Sequence, residues 1–208
     1  MLKMKNIILS ICGTNCYILY NDETMEGIII DPAAEPETIA MHVTRLGVDI
    51  KCILLTHGHF DHIGAADALK KKYDICVYAH KDEADITENV MLNLSSMFGE
   101  ADSVKVDVAL EHGQRLEMCG WTIDVIHTPG HTKGSCCYLI DDGTRVRLFS
   151  GDTLFYSSHG RTDFPTGSQR QIIDSIVDRL LVLDGDIEVF SGHGEPTTIA
   201  DEKKWYGR

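Results

Sequence analysis

Positive charge is scarce in this sequence: 19 Lys and Arg stand against 32 Asp and Glu, a formal net charge of −13. A surface of that sign repels phosphate backbones and anionic lipid, so nucleic acid and membrane are not expected partners, and a small-molecule substrate is. Long hydrophobic runs are missing too, and no stretch reads as a membrane span. The opening Met1–Cys12 places lysines before Ile7-Ile8-Leu9, but the apolar run is too short for a secretion signal and no small-residue cleavage site follows. Ile11 is likewise too bulky for a lipoprotein site at Cys12. The segment reads as an opening β-strand, and a cytoplasmic location is the expectation. The 7 cysteines are odd in number, form no Cys-x-x-Cys pair and sit mostly in apolar runs, which points to buried thiols rather than a disulfide framework. No Gly-x-Ser-x-Gly supplies a serine nucleophile. No repeat or linker divides the chain, and 208 residues suit one core, so residues 1–208 read as one domain.

What is present is a succession of short apolar runs separated by turn residues. Strands are expected over 17–20, 27–30, 52–55, 75–78, 121–126, 136–140, 146–150 and 187–191. Helices are expected over 36–46, where Pro36 suits a first turn, over 64–72, and over 169–183. In the last, Ile172, Ile173, Ile176, Val177, Leu180 and Leu181 fall on one face, the stripe of a helix that covers a sheet. Four apolar runs end in polar, metal-competent residues: Leu54-Leu55 before Thr56-His57, Val125-Ile126 before His127 to His131, Leu148-Phe149 before Ser150-Gly151-Asp152, and Val189-Phe190 before Ser191-Gly192-His193. Strands ending together at one sheet edge would gather these residues into a common cleft.

The densest of these is Thr56-His57-Gly58-His59-Phe60-Asp61-His62. Imidazole and carboxylate are the ligands that borderline divalent metals select. In an extended segment His57 and His59 project to the same face, while Asp61 and His62 open the following helix, so one loop can serve two adjacent ions. His42, His80 and His112 stand alone and read as structural.

His-x-His-x-Asp-His after a strand resembles the signature of the metallo-β-lactamase fold, and further motifs follow in that family's order. Asp31 in Ile28-Ile29-Ile30-Asp31-Pro32 resembles the early aspartate that braces the metal loop. His131 in Thr128-Pro129-Gly130-His131-Thr132-Lys133-Gly134-Ser135 resembles the third histidine of the first metal site. Asp152 in Ser150-Gly151-Asp152-Thr153 resembles the bridging carboxylate, and His193 in Ser191-Gly192-His193-Gly194 the histidine of the second site. The resemblance implies an α/β (α+β) fold, an αββα sandwich of two mixed β-sheets flanked by helices with the metal site at one edge. It also implies two divalent metal ions, zinc first and iron or manganese as alternatives. His57, His59, His131 and Asp152 would hold one; Asp61, His62, His193 and Asp152 the other. Gly130 and Gly192 suit tight turns just before ligands, stiffened at Pro129.

Two such ions, roughly 3.5–4 Å apart, lower the pKa of a water between them towards ~7, so the implied reaction is hydrolysis by a metal-bridging hydroxide with Asp61 orienting it. Residues 160–168, residues 192–198 and Asn15-Cys16-Tyr17 resemble the compact bacterial glyoxalase II-like hydrolases, which implies thioester cleavage. Arg161 and Asp163 then lie beside the site, His159 shares their loop, and Lys133 and Arg161 are candidate substrate contacts. The separate helical domain of full-length glyoxalase II, which helps hold glutathione, is not expected after His193. Two alternatives share the fold: a persulfide dioxygenase-like enzyme with one Fe(II) on His57, His131 and Asp152, and a lactonase.

Overall fold

The computed structural model describes residues 1–207. β1 (Leu2–Ile8), β2 (Asn15–Asn21), β3 (Glu26–Ile30), β4 (Asp49–Leu54), β5 (Cys76–His80) and β6 (Val108–Leu110) pair in chain order as a six-stranded sheet. The first three are antiparallel neighbours and β3 to β6 are parallel. Parallel neighbours need crossovers. These are α1 (Pro36–Leu46), then α2 (Phe60–Ile63) with α3 (Ala66–Tyr73), then α4 (Ala84–Glu88). The second sheet is built from β7 (Arg115–Met118), β8 (Trp121–His127), β9 (Cys136–Asp141) and β10 (Val146–Gly151), followed after the hairpin β11 (Leu154–Phe155) and β12 (Ser158–His159) by β13 (Glu188–Ser191) and β14 (Thr197–Thr198). Its order is β14-β13-β10-β9-β8-β7. β10 and β13 are parallel, with α5 (Gln169–Ser175) between them, and α6 (Ile199–Trp205) follows β14.

Alternation with period two explains why both sheets are covered on both faces. Tyr17, Leu19, Ile28 and Ile30 meet Trp121, Ile123, Val125, Tyr138 and Phe149 in a layer between the sheets. Their neighbours Ile18, Ile29 and Ile53 face the other way, onto Ile39 and Val43 of α1 and Leu69 of α3. On the far side Cys137, Leu148 and Val189 pack against Ile172, Ile176, Leu180 and Ile199. These three apolar layers are an αββα sandwich. The stripe expected over 169–183 lies on the second sheet, though the helix widens into a π-helical segment at Ile176–Leu180. Ser168 caps its start by accepting from Gln171 N. All seven cysteines are free, five of them buried and Cys12 and Cys76 exposed. Among the described residues no helix is long and apolar enough to cross a membrane.

Candidate metal centre

The segments that follow β4, β8, β10 and β13 converge. Donor atoms of His57, His59 and His131 lie within 4.8 Å of one another, and so do those of Asp61, His62 and His193. Asp152 stands between the two groups, 3.4 Å from His62 Nε2, 3.6 Å from His131 Nε2 and 3.5 Å from His193 Nε2. The seven residues that the sequence singles out as ligands are therefore brought together.

Hydrogen bonds at the outer ring nitrogens decide which nitrogen faces inward. Thr56 Oγ1 donates to Asp31 Oδ2 at 2.6 Å, so His57 Nδ1, 3.1 Å from that hydroxyl, is the donor to it. His62 Nδ1 donates to Asp31 Oδ2 at 3.0 Å, and His131 Nδ1 to the Arg161 carbonyl at 2.7 Å. The Nε2 atoms of all three rings then point into the centre. His59 presents Nδ1, 2.9 Å from His131 Nε2, which is itself 3.2 Å from His57 Nε2. His62 and His193 bring their Nε2 atoms to 3.3 Å. Where no proton lies between them, as among His57, His59 and His131, lone pairs this close repel, and a metal cation among them turns repulsion into coordination. Nitrogens held tetrahedrally at ~2.0–2.1 Å from one ion would lie about 3.3 Å apart, the spacing seen here. Asp152 Oδ1, moreover, is buried without a hydrogen-bond partner. This donor set fits divalent metal ions, zinc, iron and manganese included.

The charge states of the first three histidines agree with that use, and a metal would have to displace a proton from His62 and His193. Burial, reinforced by His62 and His131, holds His57 well below the ordinary imidazole range. Burial, reinforced by His131, takes His59 down to about 3, and burial lowers His131 as well. These rings are neutral, the form that ligates. Burial also works against the charged form of His62 and His193, but the carboxylates overcome it. Asp152, Asp31 and Asp61 raise His62, and hydrogen bonds to Asp152 and Asp61 bring His193 up to about 9.

Several buried polar residues set the loops in place. Asp31, in the left-handed region at φ 48, accepts from Thr56 N at 2.8 Å besides its bonds to Thr56 Oγ1 and His62. Asn15 Nδ2 donates to the carbonyls of Ser191 and Gly194, and the Tyr17 hydroxyl to that of Ser191 at 2.6 Å, which fixes the loop bearing His193. Glu83, absent from the sequence reading, is fully buried and accepts from Gly58 N at 2.7 Å, Gly134 N at 2.9 Å and the Thr132 hydroxyl. It therefore ties the His57–His59 loop to the loop after His131. Burial pushes its carboxyl up to about 7 although all three donors pull it down. Only the acidity of the run Asp82-Glu83-Ala84-Asp85 was visible in the sequence, and that reads as surface. Gly130 is needed for its φ of +140. Gly192 is needed for want of room, since a Cβ there would overlap the Asp152 carboxylate and the His62 ring.

The candidate substrate contacts fare differently. The Lys133 ammonium pairs with Asp85 at 2.6 Å, and the residue is not among those lining the cavity beside the centre. Arg161 does line that cavity, about 650 Å³ in volume, and one edge of its guanidinium, Nε and Nη2, binds Asp163 at 2.7 Å. His159 lines it too. His80 is structural as expected, capping a turn by accepting from Asp82 N. With Asp82 and His127 it forms another cluster of donors. The His80 and His127 rings, however, stack at 3.9 Å and 6°, so their lone pairs run side by side instead of converging.

Comparison with known proteins places the chain. Residues 9–193 match the family model described as the Metallo-beta-lactamase superfamily. The hydroxyacylglutathione hydrolase GloC of Haemophilus influenzae is 34% identical over 196 residues, 91% of this chain and 90% of that protein. The crystal structure of the BLEG-1 B3 metallo-beta-lactamase superposes with a TM-score of 0.91 at 39% identity, over 97% of both chains. That of TTHA1623 in a di-iron-bound form gives 0.84 at 33%, over 96% of this chain and 97% of that one.

Proposed function

This chain belongs to the metallo-β-lactamase superfamily and is a metal-dependent hydrolase, and on that basis we propose that it hydrolyses thioesters in the manner of glyoxalase II. Residues 1–208 act as one catalytic domain in this reading. His57, His59, His131 and Asp152 hold one divalent ion, and Asp61, His62, His193 and Asp152 hold the other, with zinc the first expectation. The observation that carries the proposal is the complete second group: Asp61, His62 and His193 converge as fully as the first three histidines do. When bound, such a pair supplies a water acidic enough to attack at neutral pH and a Lewis acid for the carbonyl oxygen.

The chain's own residues do the rest. Asp61 is partly exposed towards the cavity, where its carboxylate accepts a hydrogen bond from the attacking water and orients it. Asp31 and Thr56 keep the protons of His62 and His57 on the outer nitrogens, so neither ring turns. Phe60 and Phe164 line the cavity and exclude bulk water from the reacting carbonyl. A thiolate leaves without a strong general acid, because a thiol ionises near pH ~8.5. The C–S bond breaks as the water's oxygen bonds to the carbonyl carbon, and the proton lost by the attacking water is the only one the departing thiolate could need.

The mononuclear iron alternative uses His57, His131 and Asp152 and keeps Asp61, His62 and His193 in place without filling their site, so metal content and reaction, not the ligand set, separate the two readings. Metal quantification of the purified protein, run beside a thioester screen with a β-lactam arm and an oxygen electrode with glutathione persulfide, tests the proposal. Two metal ions per chain with thioester cleavage are expected. One iron with oxygen uptake would overturn it.

A further inference from the structure

One wall of the cavity is apolar beyond what hydrolysis requires. Leu94, Met97 and Phe98, from the strap between α4 and β6, face it together with Phe60, Phe155 and Phe164. Leu94 is buried and held at φ 71, an uncommon conformation for a residue with a Cβ. It launches a single 3-10 turn, Ser95–Phe98. That turn leaves Met97 69% and Phe98 62% exposed, so the two contribute little to the core. The strap is nonetheless tied to the metal loop. Phe98 stacks on Phe60 at 4.5 Å, and Phe60 N donates to the Asn93 carbonyl at 2.8 Å. Two large apolar side chains kept at the mouth of a metal site, on a protein with a net charge of −13, are placed to meet a ligand.

Cations are what the wall lacks. Arg161 is the one Lys or Arg among the lining residues. It is committed to Asp163 and lies over the Phe164 ring, 3.9 Å from its centroid. A thiol carrier with two carboxylates, such as glutathione, finds no ammonium here and a single guanidinium whose charge Asp163 already balances. Resting on the thioesterase reading, we infer that the site takes thioesters with an apolar, uncharged acyl group, which lies along Leu94, Met97 and Phe98 while its carbonyl faces the histidines and aspartates.

The test compares S-hexanoyl-N-acetylcysteamine, S-acetyl-N-acetylcysteamine and S-lactoylglutathione on the metal-loaded enzyme. Full burial of one methylene is worth about fourfold. The wall covers roughly one side of the chain, so four half-covered methylenes raise kcat/KM for hexanoyl over acetyl by about fifteenfold. Phe98→Ala, at an exposed position that folding tolerates, reduces that ratio to about threefold. Binding gives a readout apart from turnover: by calorimetry the inert thioether S-hexyl-N-acetylcysteamine binds tighter than its S-methyl analogue by a comparable factor, and Phe98→Ala weakens it. A preference for S-lactoylglutathione with no chain-length trend overturns the inferred substrate class and leaves the thioesterase reading standing. Failure to cleave any thioester overturns that reading instead. In that event tight thioether binding still supports the apolar subsite, and its absence refutes it.

Discussion

Replacing Glu83 with Gln removes a charge without changing volume, which makes it a clean probe of how the two metal-bearing loops are held. One carboxylate oxygen accepts from Gly58 N, between His57 and His59, and the other from Gly134 N and the Thr132 hydroxyl beside His131. The amide of Gln can serve only one of these sides. Whichever way it turns, an N–H group opposes a backbone N–H in a fully buried place. Losing a hydrogen bond to a charged acceptor costs ~1.5–3 kcal/mol, and stranding a buried donor costs ~1–3 kcal/mol. Relief of the buried charge offsets part of this, since burial already pushes the carboxyl up to about 7. The net loss is about 2–3 kcal/mol of stability. Because the strain falls on loops that carry His57, His59 and His131, metal affinity should drop by ~10–100-fold, as it does when residues that orient ligands are removed. Urea unfolding of the metal-free protein measures the first effect, and competition with a chelator the second. A Glu83→Gln protein with the wild-type unfolding midpoint and unchanged chelator competition would refute the reasoning, and Glu83 would then be a passive core residue.

Asp152→Ala and His59→Ala should each lower bound metal and abolish turnover, and a variant with full metal content and full activity would contradict the assigned ligand set. Asp31→Ala should lower metal affinity or activity by ~10–100-fold by freeing the His62 ring and Thr56; wild-type kinetics would reduce Asp31 to a strand-end residue. The metal should also change how stability depends on pH. His62 and His193 are raised above the ordinary 6.5, so their protons stabilise the metal-free fold below that pH, and the benefit fades as pH rises through about 9 for His193. Metal displaces the same protons and binds more tightly over that range. The gap in Tm between metal-loaded and metal-free protein therefore widens from pH 6.5 to 9, and thermal melts showing a constant or narrowing gap would sink this account.

The residues that converge on the candidate centre were legible because they follow apolar runs and carry side chains that few other roles require. His57 after Leu54-Leu55 and His193 after Val189-Phe190 are of this kind, as are the long stripe from Ile172 to Leu181 and the alternation that sorts Ile28 and Ile30 from Ile29. β6, β7, β11, β12 and β14 were not legible. At two to four residues they are too short to show a period, and tertiary pairing creates them. Glu83 escaped for a different reason. It lies in the acidic run Lys81-Asp82-Glu83-Ala84-Asp85, where only the fold decides that one carboxylate turns inward to three donors. Lys133 was singled out from its place near His131 in sequence, and the partner it meets in the fold, Asp85, lies in that same acidic run.

The buried polar residues around the centre share a task. Asn15 and Tyr17 belong to the first sheet and bind carbonyls of the loop after β13, in the second. Tyr138 belongs to the second sheet, and its hydroxyl donates to the Leu55 carbonyl of the first at 2.7 Å; Cys136 N donates to the Thr56 carbonyl at 2.9 Å. Along most of their contact the sheets meet through apolar side chains, which resist separation but not sliding. At the metal edge they meet through directional hydrogen bonds, each buried and so costly to leave unmade. His57, His59, Asp61 and His62 come from one sheet and His131, Asp152 and His193 from the other, so ligand spacing is only as constant as the offset between the sheets. The polar links fix that offset, and cations shared by the two ligand groups would fix it further.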